Sequence, residues 1–260
     1  MAKSRNPVIE FDKLQMYFGE PYVIDLDNTS GSVTVYSPTI GDIVKLGEKE
    51  FYSTLSIFTT NTTTYRLMLW DNGLDWNEIS DFQLFMMLYR GINPEASKLM
   101  FKDLDWSKFQ MYTKRIPDKE EEELILYDAE DDIEITEEVY WHISQYLRGV
   151  FNIFPEEKVT TNKTLKEWYI SKDRREIEIE KQKDDDSQTS IQSLISACVN
   201  HPGFKYNLQQ LKEVGVAQFY DSVKRLQIYE NTTACLKGMF SGFVDSSKIK
   251  QDEYNFMREL

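Results

Sequence analysis

The stretch from Gly215 to Phe243 most constrains how this chain can fold. Its apolar residues recur mostly at steps of three and four, which places their side chains on one face of a helix. Such a face requires a partner that covers it. A shorter helix over Asn207 to Val214 and a turn over Asn200 to Gly203 precede it, so we predict a helical docking module. The apolar residues are Val216, Phe219, Tyr220, Val223, Leu226, Tyr229, Leu236, Met239, Phe240 and Phe243.

Composition excludes several classes of partner. At 260 residues with 41% hydrophobic and 13% aromatic residues, the chain can bury a sizeable core as one large domain or two small ones. Its formal net charge of -14 argues against nucleic acid and against anionic membranes, because both are bound largely through Lys and Arg. No apolar run approaches the roughly 20 residues that span a bilayer. We therefore expect neither a nucleic-acid nor a membrane partner.

The first residues and the cysteines indicate a cytosolic protein. No apolar segment follows Lys3 and Arg5, so we expect no secretory signal. Cys198 and Cys235 are then expected to be small buried hydrophobic residues, with a disulfide between them as the alternative. Four Asn-x-Ser/Thr sequons should carry no glycan in that compartment; they begin at Asn28, Asn61, Asn162 and Asn231.

The N-terminal part predicts a hairpin followed by helices. Short β-prone runs at Tyr22–Leu26 and Val33–Tyr36 are separated by a polar linker. Helices should follow over Ile40–Gly47 and from Glu48 to Phe58. Two capping boxes, each typical of a helix start, occur at Thr39 with Asp42 and at Ser80 with Gln83.

An acidic β element is predicted in the middle of the chain. Leu124–Tyr127 and Ile133–Ile135 flank a turn, and twelve acids against one base lie between residues 118 and 138. We interpret this segment as a solvated acidic hairpin, with a patch for a basic partner as the alternative. An EF-hand loop starting at Asp128 would need Gly and Glu where Ile133 and Val139 stand, so no calcium site is expected.

A charged arm is predicted after the next helix. Thr136 should cap a helix that runs to about Phe154. From Thr164 to Lys183 the sequence opens amphipathically and then mixes charges at helical spacing, which supports a helix without giving it a face to bury. We interpret it as a protruding helix or helical linker. The polar run Lys183–Thr189 should form a hinge, and Ser190 should cap the following helix.

No motif in the sequence predicts catalysis. The chain lacks GxGxxG, Walker A, HExxH and zinc-ligand spacings, and it offers only His142 and His201 as imidazoles. We expect His142 to be structural and His201 to bond its own backbone in the turn with Pro202 and Gly203. Thus no catalytic residue, cofactor site or metal ligand is predicted. A cavity around either histidine with converging carboxylates would instead indicate an enzyme.

Two stretches resemble proteins of tailed bacteriophages. The run Val33–Ile43 resembles the hairpin-then-helix opening of proteins encoded in tail-morphogenesis modules. The run Val216–Leu226, followed by a tyrosine-containing helix and Gly242, resembles the C-terminal helices of tail assembly chaperones and baseplate hub assembly proteins. This resemblance implies a non-enzymatic protein of the host cytoplasm that holds another tail component, such as the tape measure protein, until assembly.

The sequence thus predicts a predominantly helical α+β fold with small β-hairpin elements and a helical C-terminal module. We expect an N-terminal α+β domain at residues 1–155, a charged helical arm and hinge at 156–189, and the C-terminal helical module at 190–260.

The expected function is phage tail or baseplate morphogenesis through binding of a tape measure or baseplate component, in the host cytoplasm. A structural subunit of the virion tail or baseplate is one alternative, an enzyme with an unrecognised site is another, and the apolar face also permits homo-oligomers. The predicted partner-binding residues are Val216, Phe219, Tyr220, Val223, Leu226, Tyr229, Leu236 and Phe240.

Overall fold

The computed structural model describes residues 9–26, 31–115, 122–182, 190–242 and 249–258. Within these ranges the protein is predominantly helical with a two-stranded and a three-stranded antiparallel sheet, which confirms the predicted α+β class. The helices are α1 (Lys13–Phe18), α2 (Ile40–Leu46), α3 (Glu48–Thr59), α4 (Arg66–Asp71), α5 (Asp81–Leu88), α6 (Pro94–Phe101), α7 (Glu137–Phe151), α8 (Lys163–Gln182), α9 (Ile191–Val199), α10 (Leu208–Leu211) and α11 (Val216–Phe240). The strands are β1 (Tyr22–Asp25), β2 (Ser32–Val35), β3 (Gln110–Arg115), β4 (Glu122–Asp128) and β5 (Ile133–Ile135).

The predicted hairpin and both predicted capping boxes are confirmed. Strands β1 and β2 pair antiparallel with Ile24 opposite Val33, and both side chains are buried in the core. The hydroxyl of Thr39 accepts from the Asp42 N–H at 3.1 Å, while the Asp42 carboxylate accepts from the Thr39 N–H at 3.0 Å. Ser80 and Gln83 form the same reciprocal pair at the start of α5. These bonds satisfy backbone donors that a helix start leaves unpaired.

The second sheet is also confirmed, and lysines pair with part of its acidic surface. Strands β3, β4 and β5 lie in that order, with Leu126 opposite Ile135. The Lys114 ammonium lies 2.7 Å from Glu134, and the Lys108 ammonium lies 2.9 Å from Asp131. The acidic residues from 118 to 121 lie outside the described residues.

Helix α7 organises the core of the fold. It ends at Phe151 rather than at the predicted Phe154, because Asn152 adopts a left-handed conformation with φ 53°. Its Arg148 is buried, and the guanidinium donates to the carbonyls of Thr59 and Thr60 at 2.9 and 2.6 Å. Arg148 therefore satisfies carbonyls at the C-terminal end of α3, which would otherwise be buried without partners.

The prediction that the charged helix protrudes is wrong for the first half of α8. Ile170 is buried and packs in a small cluster with Leu69, Trp76 and Leu84. Three ion pairs join α8 to the α4 region, namely Arg66 with Asp173, Lys166 with Asp75 and Arg174 with Asp71. The charged residues in the first half of α8 therefore pair with oppositely charged residues of the α4 region. From Arg175 to Lys181 the side chains are exposed.

The C-terminal helices pack against the N-terminal ones. The predicted hinge at 183–189 lies outside the described residues, but Ser190 caps α9 as predicted, accepting from the Ser193 N–H at 3.2 Å. The Ile191 N–H donates to the Glu48 carboxylate at 2.8 Å, which joins the start of α9 to the start of α3. The predicted domain boundaries stay a prediction.

Candidate partner-binding surface

Backbone hydrogen bonds join the start of α11 and the residues before it to the start of α2. The Val216 N–H donates to the Pro38 carbonyl at 3.1 Å, and the Gly41 N–H donates to the Lys212 carbonyl at 3.0 Å. Gly41 permits this approach, since a Cβ there would lie 2.5 Å from the Lys212 oxygen. Helix α11 therefore starts from a fixed position on the rest of the fold.

The first predicted partner-binding residues face the fold rather than solvent. Val216 and Phe219 are fully buried in the main core. Tyr220 is half-buried, and its hydroxyl oxygen lies 2.6 Å from the Tyr52 hydroxyl oxygen of α3. The expected ridge is corrected accordingly: its first turns are buried in the main core, and α11 packs against α1 and α7. These three side chains do not belong to an exposed surface.

The middle of α11 separates two grooves that meet at Leu226. The first, of about 380 Å³, lies against α9 and is lined by Val223, Leu226 and Cys198 among others. The second, of about 570 Å³, includes Tyr206 and Tyr229. Val223 and Leu226 are half-buried. The predicted residues in this part of the helix therefore line concave surfaces.

The end of α11 exposes apolar side chains. Tyr229 is 51% exposed and Phe240 is 88% exposed, whereas Leu236 is half-buried. The segment at 249–258 packs against α11. Its Phe256 ring lies 6.2 Å from the Tyr229 ring, and Arg225 donates to the Arg258 carbonyl at 2.6 Å.

Sequence reasoning missed the residues of other elements that complete both grooves. Leu194 and Ala197 of α9 line the first groove, and Tyr17 of α1 lines the second. The apolar spacing along α9 was a usable signal for Leu194, because it placed that residue on the same face as Cys198. Tyr17 offered no such signal, since its position depends on how α1 packs across α11.

His201 bonds the backbone of its own turn, as predicted. The Gly203 N–H donates to His201 Nδ1 at 3.0 Å, and His201 Nε2 lies 3.3 Å from a carboxylate oxygen of Glu230 on α11. Because Nδ1 accepts, Nε2 carries the proton of the neutral ring on the side that faces Glu230. This histidine joins the turn to α11 beside the first groove.

His142 contributes to a cavity of about 380 Å³ between β1, the second sheet and α7. Its Nδ1 lies 2.6 Å from the Tyr22 hydroxyl oxygen, and the two rings stack with an interplanar angle of 10°. Four carboxylates also line this cavity, from Asp25, Glu123, Glu134 and Glu138. This arrangement is the one that we specified as an indication of an enzyme.

Electrostatics in the His142 cavity favour protonated groups. Burial, together with the charges of Glu134 and Glu137, raises the pKa of the Glu123 carboxyl, and burial raises the pKa of the Tyr22 hydroxyl. In the part of the chain that the structure describes, no group of three or more His, Cys, Asp or Glu residues is placed to hold a metal ion.

Both cysteines are free thiols. Cys198 is buried, and burial raises the pKa of its thiol, whereas Cys235 is half-buried. The prediction of two buried cysteines is therefore confirmed for Cys198 alone. The alternative disulfide is not formed. Among the described helices, none is long and apolar enough to cross a membrane.

Comparison with known proteins associates the C-terminal module with phages. A family described as the YomV second domain matches residues 180–259, which contain α9, α10 and α11. YomV is a protein of a Bacillus phage region. No curated protein and no solved structure matches the chain. The similarity points to a phage-associated protein, whereas the assignment to tail chaperones or baseplate hub assembly stays a prediction.

Proposed function

We propose that the protein is a non-enzymatic phage morphogenesis protein that binds a tail component, a tape measure or baseplate protein, in the host cytoplasm. The observation that carries the proposal is the exposed apolar end of α11, within the segment that is similar to the YomV second domain. Tyr229 and Phe240 are exposed there, and Phe256 and Met257 of the C-terminal segment are 50% and 74% exposed. Aromatic residues and Met are enriched where proteins bind each other.

The anchored start of α11 supports this role. Because Val216 and Phe219 hold the helix on the core, its distal half is presented in a fixed orientation, which reduces the conformational entropy lost on binding. A partner helix that places apolar side chains in the two grooves at Leu226 would use a common mode of recognition. The net charge of -14 opposes self-association of the unoccupied surface.

Affinity capture from infected cells tests the proposal. Wild-type protein should recover a tail component, and the double variant Tyr229→Asp, Phe240→Asp should lose it. Phe154→Asp is the matched control, since Phe154 is 69% exposed outside the C-terminal module and its loss should leave capture unchanged. These exposed sites should leave the free energy of unfolding within about 0.5 kcal/mol of wild type. Recovery of no tail protein by the wild type would refute the proposal.

Particle composition separates the assembly factor from the virion subunit. An assembly factor should be missing from purified particles, whereas a tail or baseplate subunit should be present at a fixed stoichiometry.

An enzyme is the second candidate function, favoured by the carboxylates that line the same cavity as His142. Phage that carry His142→Asn distinguish the two functions. If the protein acts by binding alone, the number of phage particles produced and the capture of the tail component should both be unchanged. Lost yield with retained capture would indicate that His142 performs chemistry instead.

A further inference from the structure

The cavity between β1, the second sheet and α7 runs along one edge of β1. Five consecutive residues of the chain, 22–26, line it. Their side chains alternate, because Ile24 is buried in the core whereas Val23 and Asp25 on either side of it are exposed. Since successive side chains of a strand point to opposite faces of the sheet, a cavity that contacts all five residues lies along the backbone edge. Strand β1 therefore forms one wall of an open groove.

This edge of β1 has no strand beside it among the described residues. Strand β1 pairs with β2 alone, in a sheet of two strands. The Leu26 N–H donates to the Gly31 carbonyl at 3.2 Å, so in the alternating antiparallel ladder the backbone groups of Ile24 also point to β2. Those of Val23 and Asp25 point the other way, and within the described ranges no hydrogen bond satisfies them. A free edge of this kind is a template for another extended chain.

The remaining wall of the groove is acidic. Its carboxylates belong to Glu123 of β4, Glu134 of β5 and Glu138 of α7. Glu134 pairs with the Lys114 ammonium, but in the part of the chain that the structure describes Glu123 and Glu138 form no ion pair. Burial first, and then the charges of Glu134 and Glu137, raise the pKa of the Glu123 carboxyl, so a cation placed here would relieve repulsion. Because the whole chain carries a net charge of -14, the complementary occupant is a basic segment of another protein rather than a second copy.

We propose that the groove is a docking site for an extended, basic segment of another protein. The segment adds as a strand to the free edge of β1, where its backbone exchanges hydrogen bonds with Val23 and Asp25. Lysine or arginine side chains at alternate positions of the segment reach Glu123 and Glu138. In this mode of recognition main-chain pairing supplies affinity and alternate side chains supply specificity. The proposal accounts for the carboxylates beside His142 without a catalytic step.

Binding of synthetic peptides, measured by calorimetry at constant ionic strength, tests strand addition on the full chain. The probe is a blocked peptide in which Lys alternates with Val and Thr, and it should bind saturably. Two control peptides carry N-methyl groups, one on every Lys nitrogen and the other on every Val and Thr nitrogen, so that each blocks one backbone edge and keeps every charge. At least one of them should bind about tenfold more weakly or not at all, as expected for the loss of several backbone hydrogen bonds. The variant Tyr229→Asp, Phe240→Asp should bind the probe as the wild type does, which separates this groove from the α11 surface of the proposed function.

Hydrogen exchange identifies the edge that the peptide occupies. At a free peptide concentration of about ten times Kd, roughly a tenth of the sites stay open, so the Val23 and Asp25 amides should exchange about tenfold more slowly. The Ile24 amide is the internal control, because it already pairs with β2 and should change less. Unchanged exchange at Val23 and Asp25 in the presence of bound peptide would contradict the proposal.

Charge variants decide whether the acidic wall takes part. The double variant Glu123→Gln, Glu138→Gln should raise the Kd of the probe about fivefold, as expected for two partly exposed ion pairs. The double variant Glu167→Gln, Glu180→Gln changes two exposed residues of α8 and the net charge by the same amount, and should leave the Kd unchanged. The proposal fails if the wild type shows no saturable binding, if neither N-methylated peptide binds more weakly, or if the two double variants bind alike.

Discussion

Helices α8 and α11 both differ from what their sequences predicted, and they differ in opposite directions: α8 is more buried than expected and α11 less available to a partner. The charged α8 was expected to protrude, yet its first half docks on the α4 region through Ile170 and three ion pairs. The apolar α11 was expected to offer its whole face to a partner, yet its first turns are buried in the core. A charged face can be satisfied by complementary charges within the same chain, and an apolar face can be divided between the fold and solvent.

The two helices should therefore differ in what stabilises them. Docking of α8 combines one buried isoleucine with polar pairs, whose net contributions are modest because water solvates the separated charges well. Docking of α11 depends on fully buried apolar side chains, each of which contributes more. Substitutions in the two helices measure this difference directly.

The largest effect is expected in the first turns of α11. Phe219→Ala should lower the free energy of unfolding by about 3–5 kcal/mol, because it leaves a cavity in a fully buried part of the core. Urea unfolding followed by circular dichroism measures the change. Phe240→Ala is the control on the same helix and should change the free energy by less than about 0.5 kcal/mol. Equal effects at the two positions would contradict the division of α11 into a buried and an exposed half.

An intermediate effect is expected in α8. Asp173 accepts from Nε and Nη2 of Arg66, and both side chains are mostly buried. Asp173→Asn should cost about 1.5–3 kcal/mol, the range for a hydrogen bond to a charged group, and should speed hydrogen exchange of the α8 amides. Glu176→Gln removes an exposed pair with Lys172 and a weaker charge interaction with Arg66, and should cost about 0.3–0.5 kcal/mol. Unchanged exchange in Asp173→Asn would mean that the ion pair does not hold α8.

The sequence predicted those parts of the fold whose causes are local. Capping at Thr39, Ser80 and Ser190 depends on residues three apart, and strands β1, β2, β4 and β5 followed from short β-prone runs. The helix over 163–182 was predicted within about a residue at each end. Its docking was not predicted, because the partners of Lys166 and Asp173 are Asp75 and Arg66, about a hundred positions earlier in the chain. Periodicity predicts that a helix has a face to be covered, but it does not identify the element that covers that face.

The candidate sites show the same limit more strongly. The sequence located the helix that carries Leu226 and Tyr229 but could not separate them from Val216 and Phe219, which share its periodicity and lie in the core. The structural role of His201 was predictable, because its partner Gly203 is two residues away. Three of the four carboxylates around His142, those of Asp25, Glu123 and Glu134, come from strands, and no local pattern in the sequence places those strands beside α7.

The smallest expected effect is the pH dependence of α8 docking through Asp75. Burial raises the pKa of this carboxyl, but hydrogen bonds from Lys166 and Asn77 outweigh burial and hold the pKa below its ordinary value of 3.8. A pKa lower in the folded than in the unfolded protein means that the carboxylate stabilises the fold above about pH 3.8, and that this contribution is lost as the pH falls through the folded-state pKa. Asp75→Asn should therefore destabilise the protein at pH 7, by less than about 1 kcal/mol because the pair is partly exposed, and the difference from wild type should shrink in acid. Urea unfolding from pH 7 to pH 3 measures the difference in free energy of unfolding between Asp75→Asn and wild type. Phe219→Ala is the control, because its loss of stability comes from packing and should persist at every pH. A difference for Asp75→Asn that stays constant with pH would show that Asp75 acts without its charge.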